Sequence, residues 1–454
     1  MNPNTNPSPT ISTLAGALRR HETSAAELLA ESLRRIRKDN PVLNAFAVVD
    51  EAGAREAARA ADEEMAAGID RGPLHGVPVA VKDLIDVAGL PTTCGSATSF
   101  GATATRDAEV VRRLRRSGAV IVGKTTLHEF AYGATGDRSV HGASRNPRDP
   151  SRISGGSSGG SAVAVAAGMV PLSVGTDTAG SVRVPAALCG VVGFKPAYDA
   201  VPTEGVYPLA PTLDHVGLFA QTTEDVQLGY QALIDGFAES RPRAEDGLTV
   251  GWIPPRDIAT TDPRMEELTQ QALARAGFTL SPVHGFPRGH REQSLFKVFS
   301  TLQGREAFQV HEHHLEKDHD RIDTEVLARL RRGREISSAH YARAEEARRE
   351  LLQTVARLLR THSVLALPTT PIVAPPLDAR TVRVAETNLE VRTALLSLTS
   401  PWNMTGMPAI SVPAGQIDGL PAAVQLVTAP DNLHLMFAVA KTLEAAQRPQ
   451  PSAP

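Results

Sequence analysis

The chain has 454 residues, with 47 Lys and Arg against 50 Asp and Glu and a formal net charge of −3. That balance gives no electrostatic case for nucleic acid or an acidic membrane surface as a partner. Cys94 and Cys189, the two cysteines, supply neither a disulfide framework nor metal-type spacing, while 42% hydrophobic residues can bury a large core.

The opening MNPNTNPSPT lacks the basic-then-apolar order of a signal peptide, and no apolar run is long enough to span a bilayer. A cytoplasmic protein without membrane contact is the expectation. Ser24-Ala-Ala-Glu27 reads as a capping box, and Leu28, Leu29, Leu33 and Ile36 continue it as an apolar helical stripe. Residues 52–67 read as an alanine-rich helix.

In His75–Ser96, Val77, Val79 and Val81 alternate with Pro78, Ala80 and Lys82, which predicts a mostly apolar strand with Lys82 on one face. Two readings of that lysine stay open. It reaches water from a strand end, the commoner case, or it is desolvated so that its neutral amine serves as a base. Residues 107–124 predict an amphipathic helix with a basic outer face, then a strand. Gly118 to Thr125 match the phosphate-loop pattern G-x-x-x-x-G-K-T letter for letter. The four residues between the glycines are strand-forming and a helix precedes them, so nucleotide binding is not expected.

Ser154 to Ser161 are all Gly or Ser. A flexible linker is the bland reading, but the run leads straight into the small apolar residues 162–167. Close approach of backbone to backbone or ligand explains the glycines better. Gly155-Gly-Ser-Ser-Gly159 also fits the nucleophile-elbow pattern, yet NPRDPSRIS before it is not a strand. His215, His284 and His434 follow in no recognisable setting. A strand at about 170–174 leads to a second Gly/Ser turn, Thr176–Ser181.

Further on, LTVGWIP predicts a strand, residues 262–275 a helix, and 336–359 a long charged helix facing solvent. His311, His313, His314 and His319 lack the H-E-x-x-H order, since Leu315 stands where the second ligand belongs, so a solvated or pocket-lining helix is expected there. Residues 364–371 and 420–427 read as strands, a last helix ends near Ala446, and the tail QRPQPSAP reads as disordered.

GGSSGGSA at Gly155–Ala162 and GTDTAGSVRVPAALCGVVGFKP at Gly175–Pro196 resemble the amidase signature family of serine hydrolases. The resemblance spans about residues 10–445, and is strongest at 75–225 and 364–445. It implies a single α/β domain over 1–454, with a mixed central sheet sandwiched between helices. By resemblance Ser181 is the acylated nucleophile, Ser157 the bridging serine on a cis peptide bond after Gly156, and Lys82 the base. Thr178, Ala179 and Gly180 would form the oxyanion hole, with Ala179 in place of the commoner glycine. Asp177 and Arg183 flank that turn and read as a buried ion pair holding its shape. The implied activity is hydrolysis of a small carboxamide, aryl amide or urea-like compound, without cofactor or metal, as a homodimer or with a small partner chain. The alternative is the glutamine-hydrolysing component of a tRNA-dependent amidotransferase, although that branch usually has glutamine where Val184 stands. A non-catalytic binding protein is disfavoured because Lys82, Ser157 and Ser181 are all present.

Overall fold

The computed structural model describes residues 9–98, 102–234, 249–287, 289–290, 293–384 and 386–447. The tail expected to be disordered lies, apart from Gln447, outside the described residues. Among the described residues one sheet has eleven strands. Its order is Phe46–Val49, Val120–Thr125, Pro78–Lys82, Leu172–Thr176, Val216–Ala220, Val192–Lys195, Ala409–Ile417, Leu420–Thr428, Val364–Pro368, Thr249–Trp252 and Thr279–Pro282. Pro78–Lys82 runs parallel to both its neighbours, and Thr249–Trp252 to both of its own. Every other pairing in the sheet is antiparallel, so the sheet is mixed.

Alternation along the strands sends side chains to opposite faces. Val79, Val81, Leu172 and Val174 join one apolar cluster with Val226, Tyr230 and Leu233 of the Thr223–Leu233 helix. Ala80, Val120 and Val122 join another with Ala162–Val165 of the Gly159–Ala166 helix. Helices therefore cover both faces, and the fold is α/β. Lys82 shares the parity of Ala80, which puts it on the side of the Gly159–Ala166 helix.

The capping box forms: Ser24 Oγ accepts from Glu27 N at 3.1 Å, and the Glu27 carboxylate accepts from Ser24 N at 3.0 Å. The phosphate-loop lookalike is the strand Val120–Thr125. Its Lys124 is buried and paired with Asp83 at 3.0 Å, so no phosphate can enter there. The long charged helix departs from expectation. It starts at Ser338, runs to Thr361, and buries Ala344, Ala347, Leu351, Val355 and Leu359 along one face. Arg343, Arg349, Glu350, Arg357 and Arg360 are exposed away from that face while Arg348 reaches inward to Thr212 and Met404 O, a 3.6-residue amphipathic pattern hidden under the alternation of sign. His311 and His314 are buried on the Leu295–Lys317 helix, where Phe130 packs with its ring centroid 4.3 Å from that of His311.

Candidate active site

Two parallel strands end side by side, and their last residues are Lys82 and Thr176. Ligands in α/β sheets gather at such carboxyl ends, where loops rather than strands continue. Two serine turns occupy this place. The first carries Ser157, just ahead of the Gly159–Ala166 helix, and the second carries Ser181, just ahead of the Arg183–Cys189 helix.

Lys82 is fully buried, and its Nζ lies 2.7 Å from Ser157 Oγ and 2.7 Å from Thr176 Oγ1. Burial pulls its amine down to about 7, with Asp214 and Asp177 opposing that shift. The strand-end lysine thus does not reach water. It is desolvated, and near neutral pH a large share is uncharged.

The Gly156–Ser157 peptide bond is cis. The glycines of this loop are demanded by proximity. A Cβ on Gly160 would lie 2.4 Å from Ala45 O and 2.5 Å from Thr126 O, so only glycine lets the helix start against those carbonyls. Ser158 fastens the loop to its neighbour: its Oγ donates to Thr176 O (3.0 Å) and accepts from Thr176 N (3.2 Å). Ser158 N donates to Ser181 O at 3.3 Å, which ties the two serine turns together.

Ser181 is 4% exposed, and its Oγ takes part in no hydrogen bond among the described residues. Its turn is held from beneath by Asp177. That carboxylate accepts from the backbone N–H groups of Gly180 (2.7 Å), Val182 (3.2 Å) and Arg183 (3.4 Å), and from Asn403 Nδ2 (2.9 Å). Burial would raise the Asp177 carboxyl, but the Arg183 guanidinium outweighs it and holds the group well below the usual carboxylate range. Arg183 is wholly buried and faces Asp177 through Nε (3.0 Å) and Nη2 (2.9 Å). It also donates to Thr399 O (3.0 Å), Gln425 Oε1 (2.6 Å) and Asn403 Oδ1 (2.6 Å).

Thr178, Ala179 and Gly180 all lie in this turn, but Gly180 differs from the expectation. Its N–H is directed to the Asp177 carboxylate, so it shapes the turn, whereas the N–H groups of Thr178 and Ala179 have no protein acceptor among the described residues. Gly180 has φ +135°, and a Cβ there would sit 2.2 Å from Thr399 Oγ1. Gly180→Ala is therefore expected to displace the turn and lower kcat/KM at least about 100-fold, the scale of an ångström-sized misplacement. Steady-state kinetics beside circular dichroism checks this, and a variant within about threefold of wild type would refute it.

Thr176, Asp214, Asn403 and Gln425 escaped the reading of the sequence. Asp214 Oδ1 accepts from Thr178 Oγ1 at 2.5 Å, while Oδ2 accepts from Leu209 N and Ala210 N. Burial pushes its carboxyl up to about 6, against the pull of those three donors. Its signal was the acid in LDHVG, two residues from a strand. Asp214, Thr176 and Thr178 line a cavity of about 80 Å³ with Leu84, Ala131 and Tyr207. His215 is buried beside it. Its Nδ1 sits 2.7 Å from Leu213 O, and burial keeps the ring neutral. No histidine bonds either serine hydroxyl among the described residues, so the elbow pattern does not assemble a Ser-His-Asp triad.

A family model described as Amidase matches residues 27–432. The chain is 36% identical over 481 residues to a glutamyl-tRNA(Gln) amidotransferase subunit of Acidothermus cellulolyticus, with 96% of this chain and 94% of the relative covered. It is 36% identical over 450 residues to the AtzE subunit of a 1-carboxybiuret hydrolase of Pseudomonas sp. (strain ADP), with 93% and 95% covered. A solved structure described as an amidase superposes at TM-score 0.90 and 34% identity, over 96% of this chain and 99% of that one. Two serine turns over a buried lysine, matched along nearly the whole length, place this chain in the amidase signature family.

Proposed function

We propose that this protein hydrolyses the carbon–nitrogen bond of a small amide through an acyl-enzyme on Ser181. The observation that carries the reading is the buried Lys82 amine, held 2.7 Å from Ser157 Oγ with its pKa drawn down to about 7. A serine hydroxyl is a weak nucleophile until a neighbouring base takes its proton. In this reading Ser181 Oγ attacks the carbonyl carbon while its proton passes to Ser157 Oγ and the Ser157 proton passes to Lys82 Nζ. The carbonyl π electrons move to oxygen, and the N–H groups of Thr178 and Ala179 stabilise that oxyanion, with Gly180 shaping the turn. Lys82 then returns a proton through Ser157 to the leaving nitrogen as the carbon–nitrogen bond breaks. Water repeats the sequence on the acyl-enzyme and releases the acid.

The chain works as one domain in this reading, supported by a sheet that draws strands from Phe46 through Thr428. Both relatives named above are described as subunits, which supports a partner chain for this one. No described helix is long and apolar enough to cross a membrane. Glutamine belongs among the test substrates because a relative of 36% identity is a glutamyl-tRNA(Gln) amidotransferase subunit.

The test is ammonia or amine release from primary amides, anilides, ureas and glutamine, with Ser181→Ala alongside. Turnover in the wild type that falls to background in the variant is expected. Persistent turnover in Ser181→Ala, or a folded wild type silent on every compound, would overturn the reading.

A further inference from the structure

A larger cavity, about 360 Å³, opens between the helices Leu295–Lys317 and Thr324–Arg334. Two glycines let these helices close on each other: a Cβ on Gly333 would stand 2.2 Å from Gly304 O. Both glycines line the cavity. Its wall carries Lys297, Arg329, Arg332, Arg343 and Arg392 against one carboxylate, Glu335. Such an excess of one charge around a concave space focuses an attractive potential for the opposite charge.

The cations differ in how they are held. Arg329 is already engaged, with Nη1 donating to Tyr132 O (2.8 Å) and Nη2 to Glu325 Oε2 (3.2 Å). Arg392 is not paired with any carboxylate within salt-bridge distance among the described residues. Its Nη2 donates to Gln303 Oε1 at 2.7 Å, and its buried Nε has no hydrogen-bond partner among the described residues. The guanidinium plane is fixed by two rings, with Cζ 5.8 Å from the Tyr132 centroid and 5.6 Å from that of Phe296. Burial, then the neighbouring Arg329, draws Arg392 down to about 10, so it stays charged and gains from an anion. A buried, unsatisfied donor on a pre-positioned planar cation is the arrangement that takes a carboxylate in a forked pair.

Short stretches of chain link this cavity to the serine turns. Tyr132 forms part of its wall, the preceding Ala131 lines the small cavity with Thr176 and Thr178, and Gly133 O packs against Gly156. The Val391–Ser397 helix that carries Arg392 leads into Thr399, whose Oγ1 donates to Ala179 O at 2.5 Å.

We propose that the substrate is an amide bearing a carboxylate, and that Arg392, with Arg332 and Lys297 around it, binds that carboxylate while the amide lies over Ser181. This rests on the amidase reading above for the position of the reacting bond, but not for the binding of the anion. Neutral amides are then poor substrates because they leave Arg392 unpaired.

The test measures binding, so it does not depend on turnover. Malonamate, succinamate, glutaramate and adipamate are titrated calorimetrically into the full chain carrying Ser181→Ala, beside propionamide, butyramide, valeramide and hexanamide. At least one acid is expected to bind about ten times more tightly than its uncharged partner. Arg392→Met should abolish that preference, Arg392→Lys should keep part of it, and neither should change binding of the neutral amides. Arg332→Ala, at an exposed position, should cut the preference at least about threefold and serves if Arg392→Met does not fold. Equal affinity for acids and neutral amides overturns the proposal, as does a preference unchanged in Arg332→Ala. Hydrolysis by Ser181→Ala during the titration would instead sink the nucleophile assignment and leave the affinity comparison readable.

Discussion

Lys82→Ala is expected to slow amide hydrolysis by about 1,000-fold or more, near the upper range for removal of a positioned acid–base group. An ester with a good leaving group should lose much less, because its alkoxide departs without the proton that an amine must receive. The wild-type pH profile carries the same assignment. In the proposed mechanism the reactive form is the neutral amine, and burial draws Lys82 down to about 7. As pH falls below that value the amine is protonated and can no longer accept the serine proton. kcat/KM should therefore rise about tenfold per pH unit up to about pH 7 and level off above it. Equal losses on amide and ester, or a flat profile between about pH 5.5 and 8.5, would remove Lys82 from the role of base and acid.

Arg183→Met is expected to destabilise the protein by about 3–5 kcal/mol, the cost of leaving one partner of a buried ion pair alone. Asp177 would keep donors from the backbone and from Asn403 but lose its cation in a buried site. Thr399 O, Gln425 and Asn403 would each lose a donor as well. Arg183→Lys should recover only part of this, since one ammonium cannot reach every acceptor that the planar guanidinium serves. An exposed pair such as Arg59 with Glu63 is the contrast, and Arg59→Ala should cost less than about 1 kcal/mol. Denaturant unfolding measures all three. A loss below about 1 kcal/mol in Arg183→Met would mean that the turn is held by its backbone alone.

The parts of this molecule that the sequence made legible are those whose physics is local. Alternation placed Lys82 on one face of a mostly apolar strand, the crowd of glycines marked a backbone approach, and Ser24 with Glu27 marked a helix start. The ion pair of Asp177 with Arg183 was readable because only a short turn separates them. What stayed hidden depends on distance along the chain. Asn403 and Gln425 look like ordinary polar residues until the sheet brings them under Arg183. Arg392 was one arginine among many, and its meaning lies in which groups surround it, which no local pattern encodes. The Ser338–Thr361 helix misled for the opposite reason, since its alternating charges are conspicuous and its buried stripe is mostly small alanines and leucines.

The clamp on Arg183 also sets when, in the life of a polypeptide, this site can exist. Ser157 and Ser181 leave the ribosome more than 200 residues before Asn403 and Gln425. Until that later stretch arrives, Arg183 and Asp177 have no lid from Thr399 and lack the acceptors and the donor that Gln425 and Asn403 bring. Contacts of such long separation form late. A nascent chain thus carries Ser181 through a long span of translation in a turn that is only half fastened. That turn gains its remaining partners after the Asn403 and Gln425 stretch has been made and has folded back.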